Sequence, residues 1–314
     1  MAPSNVCAIS VDLDPLTSYY EIHGLGAPPR HLQATIMAKV LPRFEELFDE
    51  AGVRSSLFVV GRELEKNEEG RAIVARLANA GHELCNHTYS HPYDLCRQPE
   101  QVIEQEIRKA HDVIVEHIGP EHAPVGFRSP GYFINSKVLG VLTRRGYRYD
   151  SSMFPSPPYY FAKAAVMAGM TLRGRESASV ISDPRGLRAP IDPYRPHPKR
   201  PWARGDAPLV ELPIAVLSGS RIPAIGTIFA AGPDWLKRHV LSQMRGRAFF
   251  NFELHGIDLA DAVDDCIPTE LAGRQPDLRI PFVEKRRIFL ETIDTLKRDF
   301  EFVTLAQAAE RFDG

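Results

Sequence analysis

The chain has 314 residues, of which 44% are hydrophobic and 25% are charged, a composition typical of a soluble globular protein. Its formal net charge is −2, and no basic stripe stands out, so we expect no nucleic-acid partner. No stretch approaches the roughly 18 apolar residues that a transmembrane helix needs. The length allows a large core, either in one domain of α/β-barrel size or in two smaller domains.

Two features of the sequence favour a cytoplasmic protein. The N-terminal residues 1–5 lack the basic segment and the apolar run of a secretion signal. The four cysteines are scattered and include no C-x-x-C pair, so we expect reduced thiols.

Short apolar strands alternate with amphipathic helices through the first half of the chain. The spacing predicts strands at 6–11, 55–60, 83–85, 125–128 and 147–149, and helices at about 32–51, 68–80, 99–118 and 135–145. Residues 16–30, rich in Tyr, Gly and Pro, are expected to form a loop. Alternation of this kind predicts parallel strand pairing with right-handed crossovers.

Residues 153–208 interrupt this rhythm. Ten of the 26 prolines fall in this segment. We expect an irregular insertion in a single domain that spans residues 1–314, serving as a lid, a binding loop or an assembly surface. If the insertion carries a subunit contact, the protein is a homo-oligomer. The alternation then resumes, with strands predicted at 209–214, 248–254 and 302–305 and helices at 233–244, 281–298 and 306–312.

Ionisable residues recur at the ends of the predicted strands. They are Asp12 and Asp14 after the first strand, His87 after the third, Arg128 after the fourth, Asp150 after the fifth and His255 after the seventh. In a parallel barrel or an open α/β sheet these strand ends lie on one face, where such folds place their active sites. Helix or strand capping alone does not explain so regular a placement, so we predict an active site on this face.

Within that set, His87 and His91 lie four residues apart where a strand gives way to a loop. Neutral imidazole nitrogen is a standard ligand for zinc and its neighbours, and a catalytic site adds a third protein ligand and keeps one position open. We predict Asp14 as that third ligand and Zn²⁺ as the divalent metal. Alone, the H-x-x-x-H spacing is a weak signal, because two histidines can also cap a strand end.

These motifs resemble those of the polysaccharide deacetylase family, carbohydrate esterase family 4, over nearly the whole chain outside the insertion. The family's paired acidic residues correspond to residues 10–14, its H-[ST]-x-x-H motif to 87–91 and its R-x-P-[YG] motif to 128–132. A fourth acidic motif is placed at Asp150, and a fifth, an apolar residue before a late histidine, at Leu254 and His255. The resemblance implies an α/β fold, a single-domain distorted (β/α) barrel of about seven parallel strands.

One departure concerns the first motif, where Leu13 separates the two acidic residues. The Asp-x-Asp form resembles a subgroup of intracellular or atypical deacetylases that includes deformylases of lipid-linked amino sugars and an allantoin-hydrolysing branch. This variation leaves the substrate open. It also leaves open which carboxylate is the metal ligand: we assign Asp14 to the metal and Asp12 to the base, with the reverse as the alternative.

The resemblance implies roles around the attacking water. Asp12 accepts a proton from the water as it attacks an N-acyl carbonyl. Arg128 holds Asp12 through a bidentate pair and fixes its orientation. A backbone N–H near Tyr132, which also contacts substrate, stabilises the oxyanion together with the metal. The plainer alternative for Arg128 is a pair with a helix end.

It also implies roles around the leaving group. His255 protonates the leaving amine, Asp150 orients His255 and raises its pKa, and Leu254 lines the pocket for a small acyl methyl. The plainer alternatives are a helix N-cap for Asp150 and a buried, hydrogen-bonded structural histidine for His255.

The predicted function is a metal-dependent hydrolase that removes an acetyl or formyl group from an N-acylated amino sugar or a related small amide. Alternatives are an allantoinase-like hydrolase of a non-sugar amide and a catalytically inactive glycan-binding protein. Because no secretion signal is evident, we expect a small-molecule or a lipid- or nucleotide-linked amino sugar rather than a cell-wall polymer.

Overall fold

The computed structural model describes residues 5–313. The expectation about a secretion signal concerns residues 1–5, most of which lie outside the described residues. The strands are β1 Val6–Asp12, β2 Ser55–Val59, β3 Glu83–Asn86, β4 Gly126–Phe127, β5 Tyr149–Asp150, β6 Pro196–His197, β7 Arg200–Arg204, β8 Val210–Glu211, β9 Phe249–His255 and β10 Glu301–Phe302. The α-helices are α1 Leu16–Ile22, α2 Leu41–Ala51, α3 Gly61–Lys66, α4 Glu68–Asn79, α5 Glu100–His117, α6 Ser136–Arg144, α7 Pro157–Thr171, α8 Gly226–Ala231, α9 Asp234–Met244, α10 Thr269–Ala272, α11 Phe282–Leu296 and α12 Leu305–Phe312. Among these helices, none combines the length and the apolar character needed to cross a bilayer.

Seven parallel strands form a curled half-barrel in the order β9, β1, β2, β3, β4, β5, β8, and β10 pairs beside the start of β1. The expected (β/α) barrel is therefore confirmed. Between β8 and β9 the contact is sparse: the Ala215 N–H donates to the Asn251 carbonyl at 3.3 Å. Pro213 follows β8 and has no N–H to donate, which limits a regular ladder at this seam.

The two faces of the barrel strands carry different side chains. β1 and β9 pair in register, with Ser10 opposite Glu253 and Asp12 opposite His255, so these four side chains share the inner face. The residues between them, such as Leu254, belong to the apolar core between sheet and helices. The carboxyl ends of the strands thus line a polar interior, and helices cover the outer face.

The chain before α2 differs from the sequence prediction. Residues 16–22 form α1 instead of a loop, because Tyr19 and Tyr20 are buried against the core. The predicted helix at 32–51 is divided into a 3₁₀ turn at Arg30–Leu32, a π-helix at Ile36–Val40 and α2. Pro42 lies in the first turn of α2 and cannot donate a backbone hydrogen bond to the preceding turn, which explains the break.

The insertion is also more regular than its proline content indicates. It contains the 15-residue helix α7 and the antiparallel hairpin β6–β7. The hydroxyl of Ser156 caps α7 by accepting from the backbone N–H of Tyr159 at 3.3 Å. Pro157 and Pro158 occupy the first turn, where a missing N–H costs nothing. The prediction that 153–208 is irregular is therefore wrong over these elements.

Candidate active site

The loop after β3 holds the two histidines of the H-x-x-x-H motif. Thr88 and His91 both have positive φ, at 64° and 61°, which is uncommon for residues other than glycine. Two side chains fix this backbone: the amide oxygen of Asn86 accepts from Thr88 N–H at 2.9 Å, and the hydroxyl of Thr88 accepts from His91 N–H at 3.1 Å. The tight loop brings both imidazoles to the same side, with 4.9 Å between ring centroids.

Each imidazole is oriented by a bond at its Nδ1 atom. His87 Nδ1 lies 2.8 Å from the carbonyl oxygen of Arg128, which can only accept, so this nitrogen carries the proton. His91 Nδ1 lies 3.2 Å from the hydroxyl of Ser18. The Nε2 atoms are left facing Asp14, whose Oδ1 lies 3.1 Å from His87 Nε2 and 3.0 Å from His91 Nε2.

This arrangement fits a metal ion. The ligand atoms of Asp14, His87 and His91 all lie within 4.8 Å of one another, and all three residues are buried. Despite its closeness to Asp14, His91 Nε2 makes no hydrogen bond of acceptable geometry with residues 5–313. Two imidazole nitrogens and one carboxylate oxygen converging on one point match a catalytic zinc site with an open fourth position.

The ionisation state of Asp14 is also the one that a metal ligand needs. Burial by itself raises the pKa of the Asp14 carboxyl, but His91 and His87 together outweigh burial and hold the pKa well below its usual value. Asp14 is therefore a carboxylate, which is the form that binds a cation.

Asp12 occupies a different environment from Asp14. Its Oδ1 accepts from Arg128 Nη1 at 2.5 Å, and its Oδ2 is 3.9 Å from His87 Nε2. Burial raises the pKa of Asp12, and Arg128 and His87 oppose the rise. The two acidic residues of the first motif are thus separated, one facing both imidazoles and the other facing a guanidinium.

Arg128 does not form the bidentate pair that we expected. Its Nη2 donates instead to the hydroxyls of Ser10 at 3.0 Å and Ser151 at 2.9 Å, and its Nε donates to the Ser151 carbonyl at 2.9 Å. Ser10 precedes Asp12 by two residues on the same strand face, so the guanidinium spans both positions. The Cζ atom of the fully buried Arg128 lies over the ring of Phe58, 4.0 Å from its centroid.

His255 is paired with Glu253, which the sequence analysis did not identify. His255 Nδ1 is 3.0 Å from Glu253 Oε1, and the hydroxyl of Tyr132 lies 2.8 Å from the same oxygen and 2.7 Å from His255 Nε2. Burial lowers the pKa of His255, but Glu253 outweighs it and the net pKa is well above the usual value. The E-x-H spacing on a period-two strand was the signal that could have found Glu253.

The ligand atoms of Asp12, Glu253 and His255 also lie within 4.8 Å of one another. Each of these groups already has a protein partner: Arg128 for Asp12, and Tyr132 beside Glu253 and His255. Within residues 5–313, His91 Nε2 of the first cluster and Glu253 Oε2 of the second both lack a hydrogen bond. We assign the metal to the first cluster because two imidazole nitrogens and a carboxylate oxygen converge there and no guanidinium is paired with its carboxylate.

Asp150 does not orient His255, so this expectation is wrong. Its Oδ1 accepts from the Ser152 hydroxyl at 2.6 Å, and its carboxyl is hydrogen-bonded to that of Glu211, the residue opposite it on β8. Burial raises the pKa of Asp150, and the hydrogen bond with Glu211 opposes this rise; burial and the Asp150 carboxyl together raise the pKa of Glu211 well above normal. Asp150 therefore belongs to a buried carboxyl pair that shares a proton.

Two further expectations about the substrate wall need correction. Leu254 lies in the core between sheet and helices, because strand alternation turns it away from the face that carries Glu253 and His255. The backbone N–H of Tyr132 itself donates to the Ser129 carbonyl at 3.1 Å and closes a turn, so the expected oxyanion donor near Tyr132 is not this group. Tyr132 does line the cavity.

A cavity of about 160 Å³ joins these groups. Strand ends supply one wall and α1 and α7 supply others. Its lining includes Asp12, Asp14, Tyr19, His87, Tyr93, Gly131, Tyr132, Tyr159, Lys163, His255, Ile257, Gln275 and Asp277.

Comparisons with known proteins agree with the motifs. Residues 34–149 match the sequence model of the polysaccharide deacetylase family. A peptidoglycan deacetylase of Helicobacter pylori is 26% identical over 164 residues, which cover 51% of this chain and 54% of that protein. A peptidoglycan-N-acetylglucosamine deacetylase of Bacillus cereus is 33% identical over 89 residues, 28% of this chain and 30% of that protein. The chain thus spans about half, or less, of the length of these relatives.

The fold comparison extends over the whole barrel. A protein assigned to the polysaccharide deacetylases of Mycobacterium smegmatis superposes with a TM-score of 0.59 at 18% identity, covering 99% of this chain and 92% of that structure. This likeness shows the fold. Residues 34–149 thus match the polysaccharide deacetylase family model, and the barrel as a whole has the fold of that structure.

Proposed function

We propose that the protein is a metal-dependent amide hydrolase that removes an acetyl or formyl group from an N-acylated amino sugar or a related small amide. The observation that carries the proposal is the convergence of His87 Nε2 and His91 Nε2 on Asp14 Oδ1, beside a cavity that Asp14 and His87 line. When bound there, a divalent cation, with Zn²⁺ the first choice, polarises the acyl carbonyl and lowers the pKa of water to about 7.

Asp14, His87 and His91 would hold the cation. Their orientation is prepared by the groups behind them, because the Arg128 carbonyl and the Ser18 hydroxyl engage the two Nδ1 atoms. Outer partners of this kind fix the ring orientation and the tautomer of ligating histidines.

Asp12 is the proposed base. Arg128 occupies its Oδ1 and stabilises the ionised form, while Oδ2 remains directed toward His87. A carboxylate held in this way takes the proton from the attacking water. Since Asp14 faces both imidazoles and Asp12 does not, the geometry supports the assignment of Asp14 as ligand and Asp12 as base.

His255 is the proposed acid. In its doubly protonated form Nδ1–H donates to Glu253 and Nε2–H donates to the Tyr132 hydroxyl, which in turn donates to Glu253. Every proton in this closed set has an acceptor, so the network favours the imidazolium. The leaving nitrogen would replace the tyrosine hydroxyl at Nε2 and take the proton there, and Glu253 would stabilise the charge until transfer.

The names of the two curated relatives support an N-acetylated sugar as the type of substrate. The cavity volume, about 160 Å³, is smaller than the roughly 300–1,000 Å³ typical of drug-sized ligands, which favours a compact substrate. The same observation keeps a small non-sugar amide, such as a ureide, as the second candidate.

The test is hydrolysis by the purified protein loaded separately with Zn²⁺, Co²⁺ or Mn²⁺, measured as acetate or formate release from the sugars and as ring opening for allantoin. The panel contains N-acetylglucosamine, its 6-phosphate, N-acetylmuramic acid, N-formylglucosamine and allantoin. We expect one equivalent of acetate or formate with each free amine from at least one amino sugar. Release from none of the sugars would reject the sugar hydrolase, and turnover of allantoin alone would establish the second candidate.

A further inference from the structure

Lys163 is a charged residue in the cavity wall with no role in the proposed reaction. It lies on α7 and lines the same cavity as Asp14 and His87. Its Nζ is close to Gly131: a Cβ atom at Gly131 would lie 3.8 Å from Nζ and 3.2 Å from the ring of Tyr93. Glycine at this position, where φ is +71°, leaves the space beside the ammonium open.

Among residues 5–313, Lys163 has no hydrogen-bond acceptor and no ion-pair partner. Burial lowers its pKa to about 8, and no neighbouring carboxylate offsets this effect. Lys163 is therefore still mainly cationic at neutral pH. A partly buried charge without a partner loses solvation, and it regains favourable interactions when an anion binds.

The other charges of the site do not need Lys163. Asp12 is paired with Arg128, and Glu253 is paired with His255. Asp14 faces His87 and His91. The positive charge of Lys163 is thus available for a ligand.

The position of Lys163 relative to the metal ligands limits what can reach it. The ring of Tyr93 packs edge-on against His91, with 4.8 Å between centroids, and its other contacts include the space beside Gly131. Tyr93 therefore contacts both His91 and the space beside Lys163, and Asp14, His87, Tyr93 and Lys163 line one cavity of about 160 Å³. A ligand that reaches both Lys163 and the candidate metal centre must fit this small cavity.

Resting on the proposed function, we propose that Lys163 forms a subsite for an oxyanion, a carboxylate or a phosphate, carried by the same compact ring that bears the N-acyl group. The substrate class is then an anionic N-acylated amino sugar or an anionic small amide, rather than a neutral one. The ammonium binds the anion while the acyl group lies at Asp14, His87 and His91.

The kinetic test compares three probes with the metal-loaded protein: N-acetylglucosamine, N-acetylglucosamine 6-phosphate and N-acetylmuramic acid. The readout is the ratio of kcat/KM for each anionic probe to that for the neutral one. We expect a ratio of about ten or more, because a hydrogen bond between an ammonium and an anion is stronger than one between neutral groups. The two anionic arms distinguish a phosphate from a carboxylate.

Lys163→Met should bring the ratio of kcat/KM values toward one, mainly by raising KM for the anionic probes. Lys163→Arg should keep part of the preference for the anionic probes. Lys199→Met is the matched control, because Lys199 is an exposed lysine of the same insertion and does not line the cavity. An unchanged ratio in Lys163→Met, or the same loss in Lys199→Met, would overturn the proposal.

A binding experiment separates this proposal from the hydrolase proposal. Calorimetric titration of metal-free protein with N-acetylmuramic acid and N-acetylglucosamine avoids direct binding of the anion to the metal. Tighter binding of the acid by wild type than by Lys163→Met supports the subsite even if no acetate is released. Equal binding by the two proteins rejects the subsite, whatever the turnover.

Discussion

Two walls of the cavity differ in how their functional groups are held. At the wall formed by the strand ends, Asp12 and Arg128 are almost fully buried, and Arg128, which follows β4, donates hydrogen bonds to Asp12 and Ser10 on β1. At the α7 wall, Lys163 has no hydrogen-bond or ion-pair partner within the described range 5–313. The side chains of the first wall are preorganised for catalysis, whereas the ammonium of Lys163 on the second wall is available to bind a ligand.

The packing of the two walls shows the same contrast. On α7 the apolar side chains of Phe161, Val166 and Leu172 are 64%, 55% and 88% exposed, and Met170 is the buried residue of the helix. At the strand-end wall, substitutions should therefore affect turnover, the metal or stability strongly. On α7 they should alter selectivity and leave the fold intact.

The largest effect is expected at Asp12. Asp12→Asn should reduce turnover about 10²–10⁴-fold, the usual contribution of a positioned base, while the protein keeps its metal. The measurement is kcat together with metal content. Asp14→Asn serves as the comparison and should lose the metal. Loss of metal in Asp12→Asn with retention in Asp14→Asn would reverse the assignment of the two acids.

A substitution at Leu254 tests the side of β9 that faces away from the cavity. Leu254→Ala should destabilise the protein by about 2–5 kcal/mol, because it opens a cavity in the core between sheet and helices. The free energy of unfolding in urea measures this. A variant with unchanged stability but impaired use of acetyl against formyl substrates would return Leu254 to the substrate pocket.

Glu253 tests the proposed acid. Activity requires protonated His255, so it should fall as pH rises through the raised pKa of this histidine. In Glu253→Gln the charge that raises this pKa is absent, and the alkaline limb of the kcat profile should move to lower pH. A loss of about 10–100-fold in kcat at pH 8 is expected, comparable to the loss of other outer-shell partners.

Asp150→Asn is the matched control for that profile, because Asp150 is paired with Glu211 and not with His255. Its alkaline limb should remain where it is in wild type. A shift in Asp150→Asn with none in Glu253→Gln would restore the role that the family motif implied for Asp150.

How far the sequence predicts this site follows from strand geometry. The strand ends with Asp12, Asp14, His87 and Arg128 were predictable, since each is a short apolar run that stops at a polar residue. In β9, Asn251, Glu253 and His255 alternate with apolar residues, so the period of two places Glu253 on the same face as His255, although the sequence analysis considered only the end of this strand. Assigning Leu254 to the pocket was an error of one residue, which on a strand reverses the face.

The α7 wall could not be predicted from the sequence, for a different reason. Its prolines indicate irregular structure, although two of them begin the helix α7. Lys163 lies beside Gly131 because segments far apart in the chain pack together, and no local sequence pattern predicts such a contact.

The smallest effect concerns the buried carboxyl pair beneath the strand-end wall. The raised pKa values of Asp150 and Glu211 mean that the folded chain retains a proton that the unfolded chain releases above about pH 4. Stability from this pair is therefore greatest at low pH and decreases as pH rises toward the folded pKa values. Glu211→Gln can still accept from Met153 N–H and donate to Asp150, so it should be more stable than wild type at pH 8 by about 1 kcal/mol.

Urea unfolding at pH 5 and pH 8 measures this difference. The advantage of Glu211→Gln should be smaller at pH 5. A variant less stable than wild type at pH 8 would show that the two carboxyls do not share a proton.

Metal content is the most direct test of the three-residue centre. Purified protein, dialysed against Zn²⁺ and then against metal-free buffer, should retain one equivalent of zinc per chain by elemental analysis. His87→Ala, His91→Ala and Asp14→Ala should each lose it, while His239→Ala, which changes an exposed histidine on α9, should keep it. Full retention of zinc by any of the three site variants, or no zinc in wild type, would contradict the account.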